Sequence, residues 1–198
     1  MDLTLPNALT LLRVVLIPLF VALFFLESAS GQWLALAVFA VASITDFFDG
    51  WLARRLGQLS AFGRFLDPIA DKLLVAAALL MLVGFGQISG LVIIPAVVIL
   101  CREILVSGLR EYLAGVAVGL PVSKLAKWKT TVQMFALGFL IVGDAAHPFV
   151  PPSIPIRMIG EAGLWIAAAI TLVTGWDYMR AGLRHMNGTV SESGAGPK

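Results

Sequence analysis

The sequence predicts an all-α membrane protein of six transmembrane helices, with both termini on the cytoplasmic side. Three observations carry this expectation. Of 198 residues, 59% are hydrophobic and only 13% charged, and mean hydropathy is +0.93; soluble domains average roughly 45–50% apolar and about 25% charged. The apolar residues gather into six segments, 8–26, 32–54, 68–86, 88–108, 128–143 and 156–179, each near the ~20 residues that cross a hydrocarbon layer. Threading six spans from a cytoplasmic N-terminus puts every one of the 14 Lys and Arg except Arg157 at or near the cytoplasmic side, as the positive-inside bias requires.

Taken in order, the first span opens on Asn7, Thr10 and Arg13, spaced by three. It has neither a basic flank before it nor a cleavage site after it, so it reads as a retained helix. Ser28-Ala29-Ser30-Gly31 breaks the chain before the second span, which is almost wholly apolar from Trp33 to Ile44 and ends in TDFFDGWLARR, residues 45–55. A short connection, Arg55 to Ser60, makes the third span its antiparallel neighbour. Pro68 leaves two starts open for that span: at the proline with Asp67 as cap, or near Ala61 with a kink. The fourth span follows Gly84–Ser89 and carries CREILVSGLREYL. The fifth begins inside Lys124–Lys129. Asp144 to Pro155 holds four of the ten prolines and reads as an ordered external loop. The sixth span ends in WDYMRAGLRH. A membrane domain over 1–186 and a flexible cytoplasmic tail over 187–198 complete the division. There is no internal repeat. Lone Cys101 excludes an intrachain disulfide and any multi-cysteine metal site, and nothing points to nucleic acid.

The acids need a reason beyond anchoring. Asp46, Asp49, Gly50 and Ala53 share one face of the second helix. Gly63, Asp67 and Asp71, spaced by four, form a facing stripe on the third. Four carboxylates in one small volume raise each other's pKa unless cations join them. Carboxylate oxygens suit Mg2+ or Mn2+, and no His or Cys is placed to make a zinc site. Gly50 and Ala53 remove bulk beside the acids. A carboxylate–metal cluster next to small residues and Arg54 suggests a pyrophosphate substrate.

Asp46-x-x-Asp49-Gly50-x-x-Ala53-Arg54, eight residues, Gly63-x-x-x-Asp67-x-x-x-Asp71 resembles the complete signature of the CDP-alcohol phosphatidyltransferase family. The resemblance implies that family's fold: a six-helix membrane enzyme, usually a homodimer, with its active site facing the cytoplasm. It also implies transfer of a phosphatidyl group from CDP-diacylglycerol to an alcohol, with release of CMP. By this likeness Asp46, Asp49, Asp67 and Asp71 hold two divalent cations, and Asp71 is the base for the acceptor hydroxyl. Gly50, Arg54 and Ser60 contact the nucleotide and its phosphates, with Ala53 and Gly63 completing the small-residue positions. Asn7, Thr10 and Arg13 either line the nucleotide site or form a polar helix start with a snorkelling arginine.

The acceptor is read from cations on three other spans. Arg102 and Arg110 lie on the fourth, Lys124, Lys127 and Lys129 at the start of the fifth, and Arg180 at the end of the sixth. Singly they are lipid-headgroup anchors; together they look like a second anion pocket, which only an acceptor bearing its own phosphate needs. LPNALTLLRVVLIP, REILVSGLREY and Lys127-x-Lys129-Thr130-x-x-Gln133 are similar to the bacterial phosphatidylglycerophosphate-forming branch of the family. That implies sn-glycerol 3-phosphate as acceptor and the bacterial cytoplasmic membrane as location. A cardiolipin- or phosphatidylinositol-phosphate-forming activity is the alternative within the family. A divalent-cation transporter is the alternative outside it, although its acids would sit nearer the membrane midplane.

Overall fold

The computed structural model describes residues 5–56, 61–115, 124–147, 149–151 and 153–193. Six long helices follow one another: α1 (Leu5–Phe24), α2 (Ala29–Leu56), α3 (Ala61–Gly84), α4 (Ile93–Gly115), α5 (Lys124–Val142) and α6 (Ile156–Ser193). Two 3-10 turns, Gly90–Val92 before α4 and Gly143–Ala146 after α5, complete the order, and no strand occurs among the described residues. Each apolar segment forms the body of one helix. Four helices, α1, α2, α4 and α6, are long and apolar enough to cross a membrane. The other two, α3 with 24 residues and α5 with 19, dilute their apolar runs with Asp67, Asp71 and Lys72, and with Lys124, Lys127 and Lys129.

Local chemistry sets the boundaries. Ser28 Oγ accepts a hydrogen bond from the Gly31 N–H at 3.1 Å, satisfying one of the free donors at the start of α2 as an N-cap does. The turn is tight: a Cβ on Gly31 would stand 3.1 Å from the Leu23 carbonyl oxygen. Of the two starts open to the third span, the earlier one forms, with Pro68 inside α3. Proline lacks the N–H that would continue the ladder. Its own carbonyl accepts from Lys72 Nζ at 2.6 Å. At the other end of the chain α6 passes residue 186 and stays helical through Ser193, so the first part of the expected tail is helix. Extending a formed helix adds one hydrogen bond per residue without a new nucleus, and no proline intervenes.

Packing runs α1 on α2, α5 on α6, α4 on α6, α1 on α3 and α2 on α5. Phe20 meets Phe24 at 5.1 Å and Phe39 at 5.9 Å between ring centroids. Around them Leu82, Leu137 and Leu164 are fully buried. The α5–α6 contact depends on glycine: a Cβ on Gly160 would fall 2.7 Å from Leu140 Cγ. Unlike a soluble protein's, the outer surface is apolar as well as the core. Val15, Leu80, Phe135 and Leu172 point outward, while Asn7, Thr10, Arg13, Lys129 and Gln133 are buried, as expected where the surrounding solvent is hydrocarbon. At one end of the bundle, Trp33 Nε1 donates to the Ala145 carbonyl at 3.0 Å and Arg157 donates to the Gly86 carbonyl at 3.1 Å. The buried charges lie toward the opposite end.

Candidate active site

Five helices contribute charged groups to that opposite end. From α1, the three-residue spacing places Asn7, Thr10 and Arg13 on one face, and that face turns inward: they are 5%, 1% and 0% exposed. Arg13 does not snorkel to solvent. Its guanidinium makes an ion pair with Asp46 of α2 at 2.6 Å, and the Asp46 side chain keeps 38% of its surface open. From α3, Gly63 is buried, and Asp71 shares an electrostatic neighbourhood with Asp46, Glu103, Lys72 and Arg13. Two carboxylates from facing helices therefore stand together with one buried arginine.

On the other side of Asp71 the charge reverses. Lys129, on α5 and 4% exposed, is ion-paired with Glu103 of α4. Arg102 lies 3.7 Å from the same Glu103 oxygen and donates to Thr174 Oγ1 of α6 at 2.9 Å. Thr174 in turn donates to the Ile170 carbonyl at 2.8 Å. Two turns along α4, Arg110 donates to the Tyr178 hydroxyl at 3.1 Å. Lys129 also lies in the field of Asp71, so the acidic and basic groups are contiguous. Buried ion pairs on this scale are held by geometry and mutual partners rather than by solvent.

Among the residues expected from the sequence, the structure brings together Asp46, Asp71 and Arg13, and beside them Arg102 and Lys129. Arg110 joins through Tyr178. Arg180 takes a different direction: its guanidinium lies 5.8 Å from the ring of Trp176, which is 63% exposed. Tyr178 faces inward at 6% exposure, and Arg180 follows it by two residues, about 200° round the helix. The surroundings of Asp49, Gly50, Ala53, Arg54, Asp67, Lys124 and Lys127 in their helices lie outside what is described, as does Ser60 altogether. Glu103, Thr174 and Tyr178 were not among the expected site residues. Thr174 and Tyr178 are four apart on the α4-facing side of α6, a spacing visible in the sequence once that face is known.

Chemically, the acidic half offers hard oxygen donors. Asp46 and Asp71 are of the type that binds Mg2+ or Mn2+, and Asp46 keeps 38% of its side-chain surface exposed. Their oxygen chemistry suits a divalent cation, while no group of three or more His, Cys, Asp or Glu placed to hold one occurs among the described residues. The basic half offers guanidinium and ammonium N–H groups suited to a phosphate monoester.

Residues 3–173 match the family model described as CDP-alcohol phosphatidyltransferase. A protein of Rickettsia prowazekii (strain Madrid E) named CDP-diacylglycerol–glycerol-3-phosphate 3-phosphatidyltransferase is 46% identical over 180 residues, covering 91% of this chain and 96% of its own. Proteins with the same name from Pseudomonas fluorescens and Cereibacter sphaeroides are 43% and 39% identical. The first covers 91% of each chain, and the second covers 94% of this chain and 98% of its own.

Proposed function

The chain belongs to the CDP-alcohol phosphatidyltransferase family, and from that premise we infer that it transfers the phosphatidyl group of CDP-diacylglycerol to sn-glycerol 3-phosphate. The products are phosphatidylglycerophosphate and CMP, a step of phospholipid biosynthesis in a membrane. One geometric observation supports the acceptor half of this reading. The Arg13–Asp46–Asp71 group and the Glu103–Lys129–Arg102 group adjoin, so a nucleotide pyrophosphate and a second phosphate can be held side by side.

In this reading all six helices span the membrane, with both termini and the site on the cytoplasmic face. At ~1.5 Å per residue even the 19 residues of α5 approach the ~30 Å of the hydrocarbon core. Asp46, Asp49, Asp67 and Asp71 are the residues that would hold two divalent cations, Mg2+ or Mn2+. When bound, such ions neutralise charge developing on the transferring phosphoryl group. Asn7, Thr10, Arg13, Gly50, Ala53, Arg54, Ser60 and Gly63 form the CDP-diacylglycerol side. Arg102, Arg110 and Lys129 grip the acceptor phosphate, aided by Lys124 and Lys127 at the start of α5. Arg180, on the outward face with Trp176, is the weakest member of that set. Asp71 accepts the proton of the primary hydroxyl as its oxygen bonds to the β-phosphorus. The bond from that phosphorus to the bridging oxygen breaks, and CMP leaves with the electron pair. The enzyme acts as a homodimer in the bacterial cytoplasmic membrane.

The test is acceptor choice. Purified protein in mixed micelles is given CDP-diacylglycerol with sn-glycerol 3-phosphate, an inositol phosphate or phosphatidylglycerol, and CMP release is followed. Turnover is expected with glycerol 3-phosphate. Preference for either other acceptor would overturn the acceptor assignment while leaving the family reaction intact.

A further inference from the structure

Tyr178 holds two arginines at once. Its ring centroid lies 5.0 Å from Arg110 Cζ and 5.7 Å from Arg102 Cζ, and its hydroxyl accepts from Arg110 Nη2 at 3.1 Å. These arginines are eight residues apart on α4, about 12 Å along the axis. To reach one ring, Arg102 extends toward the helix C-terminus and Arg110 folds back toward the N-terminus. The two guanidiniums lie in each other's field, so their convergence is opposed by like charge. The negative face of the aromatic ring offsets that repulsion. Thr174, one turn before Tyr178, fixes the far side of Arg102 at 2.9 Å.

The donors are not used up by these contacts. Each guanidinium has five N–H groups. Arg102 Nε is buried without a hydrogen-bond partner. No carboxylate pairs with Arg110 among the described residues. Two preorganised cations with spare donors, brought to one ring from two turns apart, are a fork for a dianionic phosphate. A close approach of α6 leaves Arg102 little room to move, since a Cβ on Gly175 would stand 3.0 Å from Arg102 Cγ.

We propose that Tyr178 is a positioning residue for the acceptor phosphate, acting through Arg102 and Arg110 by stacking on both guanidiniums and accepting a hydrogen bond from one. This rests on the reading of those arginines as ligands of glycerol 3-phosphate. The phenolic oxygen makes no bond to substrate in this scheme. It removes rotamer freedom that each arginine would otherwise lose on binding.

The experiment is steady-state kinetics on full-length Tyr178→Phe, Tyr178→Leu, Arg110→Ala and the Tyr178→Phe/Arg110→Ala double variant, with KM for each substrate, kcat and thermal midpoint measured. Tyr178→Phe keeps the stacking and loses the hydroxyl contact. Its KM for glycerol 3-phosphate should rise roughly two- to tenfold, the effect of one hydrogen bond. KM for CDP-diacylglycerol, kcat and the thermal midpoint should hold. Tyr178→Leu should raise the same KM further. In the Arg110→Ala background, Tyr178→Phe should add nothing, because the partner of the hydroxyl is gone. If Arg110→Ala raises the acceptor KM while Tyr178→Phe leaves it unchanged, the positioning role is overturned and the acceptor pocket stands. A rise in both substrates' KM together with a lower thermal midpoint assigns Tyr178 a structural role only, which also overturns the proposal. If Arg110→Ala itself leaves the acceptor KM unchanged, the pocket reading fails and takes this inference with it.

Discussion

Replacing Lys129 with methionine tests whether the charge inside the bundle is held by its partner. Lys129 is 4% exposed and the Glu103 side chain 15% exposed. Removing one member of a fully buried pair typically costs about 3–5 kcal/mol. Here Arg102 remains 3.7 Å from the same carboxylate oxygen, so Glu103 is not left without a cation. The expected loss therefore falls to ~1.5–3 kcal/mol, the range of a hydrogen bond to a charged group. For a chain of this length, that lowers the thermal midpoint by about 3–12 °C. Glu103→Gln should be worse, since it leaves Arg102 and Lys129 as neighbouring like charges. The Lys129→Met/Glu103→Gln pair should recover part of the Glu103→Gln loss, because the like charge facing Arg102 is then gone, while Arg102 is left without its carboxylate and keeps the pair below Lys129→Met. Tryptophan fluorescence of detergent-solubilised protein, scanned with temperature, reads all three variants. A Lys129→Met midpoint within about 1 °C of the parent, or a double variant that melts below Glu103→Gln, would refute the reasoning.

Other outcomes follow from the same geometry. CMP release should cease in excess chelator and return with Mg2+ or Mn2+; full turnover after verified metal removal would rule out the carboxylate–metal reading. Asp71→Asn should abolish transfer while keeping most CDP-diacylglycerol binding, measured by equilibrium binding of the nucleotide lipid, and near-parental turnover would remove Asp71 as the base. Gly160→Ala should destabilise the protein by about 1–3 kcal/mol through overpacking against Leu140. A thermal midpoint unchanged from the parent would show that α5 and α6 can separate there without penalty.

The helices were legible because hydropathy and Pro/Gly punctuation act locally. Ser28 ends one run and caps the next, and Gly143, at a φ of 45°, closes α5 where the apolar stretch stops. Pro68 was ambiguous for a physical reason: a proline near a helix start fits either as a first-turn residue or as an interior break, and only the neighbouring packing decides. The acid pattern at Asp46 and Asp71 was legible from fixed offsets. Tyr178 was not, because its role comes from α4 lying against α6 at Arg102 and Arg110, a contact between residues 68 apart or more. Arg180 illustrates the converse. Its charge and its place near the end of the sixth span suggested the pocket, but the angular position that sends it toward Trp176 depends on which face of α6 meets α4.

The Arg13–Asp46 contact bears on how the chain enters the bilayer. Arg13 is the ninth residue of α1, about 12 Å from its start, far enough in that a lone α1 would carry a guanidinium deep in hydrocarbon. Insertion scales put that burden at roughly 2.5–3.5 kcal/mol for an arginine at the helix centre. The carboxylate that relieves it lies on the very next helix, across the turn at Phe25–Ser28. The two helices are therefore best released into the lipid as a hairpin. An Asp46→Leu variant would strand α1 at the insertion machinery before any catalytic chemistry was at stake. Lys129 meets the opposite order of synthesis: when α5 emerges, Glu103 on α4 is already in place.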